Sequence, residues 1–347
     1  MTVPIDRFFQ RGNTFLQSTY PFMCGAMTWV SVPRLVAAVC NAGGFAALAG
    51  GNTPPATLVT EVAETRRLTD RAFAVNLVTV SPAFREQLAA LPDIRPAYVI
   101  FAGTVPREED VFKAKKTGAK VLCFAPTRPL AERMLQYGAD ALILEGMEAG
   151  GHIGSVTLTV LLQEILFRLP ETPIFAAGGI ATGCMAAHLL LMGAAGVQFG
   201  TAFAVAEESP AHDNFRERIF QAKARDAVVT PQISPELPVV GVRSIRNQGH
   251  ADFMRLQMNL IQQMEAGEIP RETAQHELEV YWMGALRRAV RDGDVDHGSI
   301  MAGQSVGMVT SSRPAAVILQ EFVADTITEL ERVQALYSPK GSALCNG

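Results

Sequence analysis

The stretch 120–146, "KVLCFAPTRPLAERMLQYGADALILEG", decides how the chain folds. It holds two short, almost continuously apolar runs, "KVLCFAP" (120–126) and "ALILEG" (141–146). Between them, "LAERMLQYGA" (130–139) repeats its apolar positions every three or four residues, as one face of a helix does. A glycine stands just before the second run, where a helix C-cap is expected. Strands that are apolar on both faces and separated by an amphipathic helix belong to a parallel sheet covered by helices.

Outward from this unit the same rhythm recurs. Upstream lie "YPFMCG" (20–25), "FAALAG" (45–50), "FAVNLV" (73–78) and "AYVIFAG" (97–103); downstream come "PIFAAGG" (173–179) and "GVQFGTAF" (196–203). Helical stretches such as "VPRLVAAVCNAG" (32–43) and "GCMAAHLLLMGA" (183–194) fill the intervals. Eight strand–helix units suit a closed α/β barrel, the (β/α)8 or TIM barrel, better than an open sheet. Alternation stops after the eighth strand. The expected organisation is a barrel over 1–206, a small, mainly helical insertion over 207–300, a return loop and barrel-closing helix over 301–337, and a loosely held tail, 338–347.

Composition bounds the function. Of 347 residues, 48% are hydrophobic and 18% charged, enough apolar side chains for a large core. A net charge of −4 offers no basic excess for phosphate neutralisation, so a nucleic-acid partner is not expected. No run approaches the length of a membrane span, and the start lacks a signal-peptide pattern, so a cytoplasmic location is expected. Five scattered cysteines form no CxxC pair; neither a metal site nor a disulfide framework is expected, and four of them read as small core residues.

In such a barrel the chemistry lies at the C-terminal ends of the strands. After the seventh strand comes "AAGGIATG" (176–183), and at the eighth "FGTAF" (199–203). Glycines there let backbone N–H groups approach an anion, which reads as a phosphate site. The sixth strand runs into "GMEAGGHIG" (146–154). His152 would stand at the barrel mouth, where imidazole can accept or donate a proton near neutral pH. A lone histidine in a glycine-rich loop is as often a turn residue, and the residues alone leave both readings open. His188 reads as a packed residue in an apolar helix. His212, His250, His276 and His297 read as surface groups, and the arginines of "RSIRNQ" (243–248) as surface cations. "GDVDHG" (293–298) begins like a calcium loop but lacks its later ligands.

These motifs, taken in order with "NAGGFAALAGG" and "GDVDHGSIMAGQSVGMV", resemble the nitronate monooxygenase / 2-nitropropane dioxygenase superfamily over roughly 15–335. "RSIRNQ" with "GALRRAVRDGDVDHGSIMAGQ" looks closest to its flavin-dependent (type II) enoyl-acyl carrier protein reductases. The resemblance implies an FMN oxidoreductase. Gly25, Ala26, Met27 and Asn76 would lie near the isoalloxazine ring, with Glu145 and Gly150 approaching from the sixth strand. Ala177, Gly178, Gly179, Gly200 and Thr201 would hold the phosphate, Gln304 would lie close to the ring, and His152 takes the catalytic position. An enoyl thioester, on acyl carrier protein or coenzyme A, would be reduced by NADH or NADPH; the alternative is oxidation of a nitronate by O2, or quinone reduction. Relatives of this kind often form homodimers. Three places depart from the family pattern: "CGAM" replaces "QGGM" at 24–27, "FAGTVP" (101–106) lacks an asparagine, and Phe124 stands where some relatives carry lysine.

Overall fold

The computed structural model describes residues 4–337. Among the described residues the strands are β1 (Phe22–Cys24), β2 (Phe45–Ala49), β3 (Ala74–Val78), β4 (Tyr98–Ala102), β5 (Lys120–Phe124), β6 (Ala141–Glu145), β7 (Gly151–His152), β8 (Ile174–Ala177), β9 (Gly196–Phe199), β10 (Ala227–Val229) and β11 (Val242–Ile245). Eight of them close a parallel barrel in the order β1-β2-β3-β4-β5-β6-β8-β9, with β9 pairing back onto β1. The (β/α)8 architecture expected from the alternation is therefore the observed one.

Period-two alternation sorts each barrel strand between two cores. Met23, Phe45, Ala47, Ala74, Tyr98, Ile100, Leu122, Ala141, Ile143, Phe175 and Ala177 point inward and pack together. Their neighbours Phe22, Ala46, Val75, Val99, Val121, Leu142, Ile174 and Val197 face the surrounding helices. Helix Asp6–Leu16 seals the N-terminal end: Leu16 is buried, and Phe15 O accepts hydrogen bonds from Tyr98 Oη (2.6 Å) and Lys120 Nζ (2.9 Å). Helix Ala315–Tyr337 completes the outer ring. Phe322 stacks on Phe199 at 3.9 Å, and Thr326 Oγ1 donates to Gly183 O. Gly183 has no room for a side chain there, since a Cβ would lie 2.3 Å from Phe322 O.

Beyond β9 the chain divides between two cores. Phe215, Ile219, Ala227, Ile245, Ala289 and Val290 join the barrel's outer core. Leu237, Val242, Phe253, Leu260, Ala274, Leu278, Trp282 and Ala285 form a small core of their own, carried mainly by helices Gln248–Glu265 and Arg271–Arg287. The segment also contains strands, which its charged helical pattern does not announce. β10, β11 and β7 form a three-stranded antiparallel sheet that staples this segment to the loop after β6. The expected tail, 338–347, lies outside the described residues.

Candidate active site

Continued inward alternation puts polar side chains at the top of an otherwise apolar barrel. Asn76 on β3, Glu145 on β6 and Gln198 on β9 have the inward parity, and Glu145 and Gln198 both pair with Ala177 in adjacent ladders. Asn76 is buried and donates from Nδ2 to Ile100 O at 3.1 Å. Burial alone pushes the Glu145 carboxyl up to about 8. At neutral pH this group is therefore largely a neutral acid that can donate a hydrogen bond.

Above these residues opens a cavity of about 710 Å³. Its wall includes Ala26, Met27, Asn76, Glu145, Gly150, His152, Gly200 and Thr201, all residues singled out from the sequence. Gly25, Ala177, Gly178, Gly179 and Gln304 are outside that wall. Gly25 is buried against Gln198, whose amide a Cβ would meet at 2.9 Å. Gly178 needs its φ of +91° to pack on Gly146, and Gly179, at φ +71°, lies against Glu148. Gln304 is exposed, and its backbone N donates to Glu148 O.

The glycines before His152 have local causes. A Cβ on Gly150 would lie 2.5 Å from the Ala302 carbonyl carbon and 2.7 Å from Gly303 N, so the loop rests directly on that backbone. Gly151 takes φ +79°, the left-handed region that side chains disfavour. His152 then pairs with Val242 of β11, and Ile153 N donates to Gly241 O. Beneath this sheet Arg243 is buried. Its Nε and Nη2 donate to Met147 O at 3.1 and 2.9 Å, and its Nη1 donates to Ala227 O at 2.6 Å. The expectation of a surface cation at 243 is thus corrected: the guanidinium clamps the loop that carries His152.

The His152 side chain opens onto the cavity, yet its Nε2 is buried with no hydrogen-bond partner among the described residues. Burial lowers its proton affinity, and Glu279, whose Oε2 stands 3.9 Å from Nε2, acts in the opposite sense. The roof over it comes from helix Arg271–Arg287. Gln275, His276, Glu279, Trp282 and Leu286 follow three- and four-residue spacing along one face and line the cavity. Glu279 was not singled out from the sequence; His276, expected as a surface group, is exposed but also lines the cavity.

Other histidines depart from expectation. His188 is exposed rather than packed and pairs with Glu329 at 2.7 Å, because the outer face of its helix meets helix Ala315–Tyr337. His250 is buried rather than superficial: it bonds Ser244 Oγ at 3.2 Å and completes a capping box with Asn247. Cys24, Cys40 and Cys123 are buried core thiols, whereas Cys184 is exposed at the start of its helix. His212 and His297 are exposed as expected, the latter paired with Asp252. No cluster of potential metal ligands and no membrane-length apolar helix occurs among the described residues.

Residues 11–325 match the family model described as nitronate monooxygenase. The chain belongs to that family. A carboxyl-CoA dehydrogenase of Mycobacterium tuberculosis, named for a 5-hydroxy-7a-methyl-1-oxo-octahydroindene substrate, is 29% identical, covering 91% of this chain and 96% of its own. A nitronate monooxygenase of Paraburkholderia phytofirmans is 28% identical over 90% of this chain and 94% of its own. Among solved structures, FabK from Thermotoga maritima superimposes with a TM-score of 0.83 at 32% identity, covering 94% of this chain and 98% of its own. A nitroalkane oxidase from Streptomyces ansochromogenes gives 0.77 at 26% identity, with 93% and 99% coverage. The family member described here is accordingly an oxidoreductase.

Proposed function

We propose that this family member is an FMN-dependent oxidoreductase of acyl thioesters, reducing an enoyl thioester with NADH or NADPH. The observation that carries the reading is His152 on the wall of a largely apolar cavity at the C-terminal mouth of the barrel, its buried Nε2 without a hydrogen-bond partner among the described residues. Two relatives support the substrate class: FabK, an enoyl-acyl carrier protein reductase, and a dehydrogenase named for a carboxyl-CoA.

The residues fit a flavin mononucleotide. The cavity volume lies within the ~300–1,000 Å³ usual for small-molecule sites. Ala26, Met27 and Gly150 line the wall, and a Cβ on Gly200 would enter open space beside Thr201, a cradle suited to a phosphate. Asn76 and Glu145 would meet the ring from the barrel interior. Bound there, FMN supplies two-electron transfer between a nicotinamide and the substrate.

The chain's own residues supply position and protons. Reduction of the double bond places a hydride on the β-carbon and a proton on the α-carbon. Burial favours the neutral form of His152, which donates a ring N–H hydrogen bond to the thioester carbonyl. Delivery of a proton to the α-carbon requires the imidazolium form, which returns to neutral imidazole as the C–H bond forms. Trp282, Leu286, Val290 and Phe215 line the cavity with apolar surface and exclude water. The departures at Ala26, Phe124 and the 101–106 loop lie on this wall, where substrate shape is read; Cys24 is turned into the outer core.

A nitronate is the competing substrate, favoured by the same neutral imidazole acting as base. The test is anaerobic mixing of the flavin-loaded protein with NADH or NADPH, then with crotonyl-CoA, and separately with propionate 3-nitronate. Bleaching by the pyridine nucleotide and recolouring by the thioester is the expected result. Bleaching by the nitronate alone would overturn it.

A further inference from the structure

The roof helix contributes a charged group to a site otherwise built on the barrel. We propose that Glu279 is the positioning carboxylate of His152, orienting the imidazole and balancing its charge when the ring carries a proton. The inference rests on the reading of His152 as the proton-handling group.

Three observations carry it. Glu279 Oε2 lies 3.9 Å from His152 Nε2, and both side chains line one cavity. Nε2 is buried and makes no hydrogen bond among the described residues, so no hydrogen bond there competes with the carboxylate 3.9 Å away. The two residues also come from different parts of the molecule. His152 belongs to the loop after β6, whereas Glu279 belongs to a helix packed on the insertion's separate core. Leu278 and Trp282, buried in that core, fix the helix so that Glu279 faces the barrel.

The other titratable groups on the cavity wall are Glu145, at the barrel's inner rim, and His276, three residues before Glu279 on the same helix. Arg243, on β11 beside His152, directs its guanidinium to the carbonyls of Met147 and Ala227. Glu279 is therefore the cavity-wall group within ion-pair distance of Nε2. A carboxylate at that distance favours the imidazolium, so proton transfer at His152 depends on the roof being seated on the barrel.

The test is a ¹³C-histidine NMR titration of the full-length, flavin-free protein, with the His152 resonance assigned by its loss in His152→Gln. Glu279→Gln keeps the side chain's shape and removes its charge. The expected result is a His152 midpoint about one pH unit lower than wild type, partly restored in Glu279→Asp. Glu272→Gln, an exposed substitution at the start of the same helix, is expected to leave the midpoint unchanged. Coincident titrations of Glu279→Gln and wild type would overturn the inference, as would an equal fall in Glu272→Gln. This readout needs no substrate, so it remains informative if the thioester reading fails.

Discussion

At the scale of single residues, two groups at the barrel mouth carry unusual proton affinities for the same reason, loss of water. Glu145 is raised by burial to about 8, against an ordinary value of 4.5. Between those values the folded carboxyl takes up a proton that the unfolded one has already lost, so stability falls as pH rises from about 4.5 to 8. Glu145→Gln is expected to remove this fall. Melting temperatures of the flavin-free proteins at pH 5 and pH 9 should differ less for the variant than for wild type. His152 is lowered instead, because burial disfavours its cation. Its position after the sixth strand was legible from "GMEAGGHIG", but its neutrality was not. That comes from burial in the folded chain, and it is opposed by Glu279, more than a hundred residues away in sequence. Likewise "RSIRNQ" reads as surface by composition, since nothing local indicates that Arg243 meets the backbone carbonyls of Met147 and Ala227.

Among the elements, the glycine-rich loops separate into those shaped by packing and those shaped for a ligand. Gly150 belongs to the first kind: an alanine Cβ would collide with the Ala302–Gly303 backbone, which has no flexible end to move aside. Gly150→Ala is expected to cost about 1–3 kcal/mol of stability, measured by urea unfolding. Gly200 belongs to the second, having nothing within 4 Å of its Cβ position. Gly200→Ala is expected to leave the melting temperature of the flavin-free protein unchanged while weakening FMN binding, measured by fluorescence quenching. Arg243→Met should lower stability by about 3 kcal/mol, since it strips the Met147 and Ala227 carbonyls of buried donors. Sequence patterning exposed the barrel strands because each repeats an apolar run. It did not expose the β10-β11-β7 sheet, because β7 has two residues and its partner Val242 lies far along the chain. Such a pairing is set by tertiary contact, not by local propensity.

For the whole molecule, the alternation of strands and helices was sufficient to specify the closed barrel, with every unit repeating the same local bargain between an apolar strand and an amphipathic helix. What no local pattern specifies is how the segment after β9 folds back, placing Glu279, Trp282 and Leu286 over the mouth. That return makes the cavity apolar and partly closed, and it brings the roof carboxylate to the barrel histidine. In the proposed function, His152 handles the proton of thioester reduction while the barrel below holds the flavin. The most direct measurement is double-mixing stopped flow on His152→Ala loaded with FMN: reduction by NAD(P)H first, then reoxidation by crotonyl-CoA. Flavin binding and reduction are expected to stay close to wild type, with reoxidation slowed about 100-fold or more. Reoxidation by the thioester at the wild-type rate would contradict it.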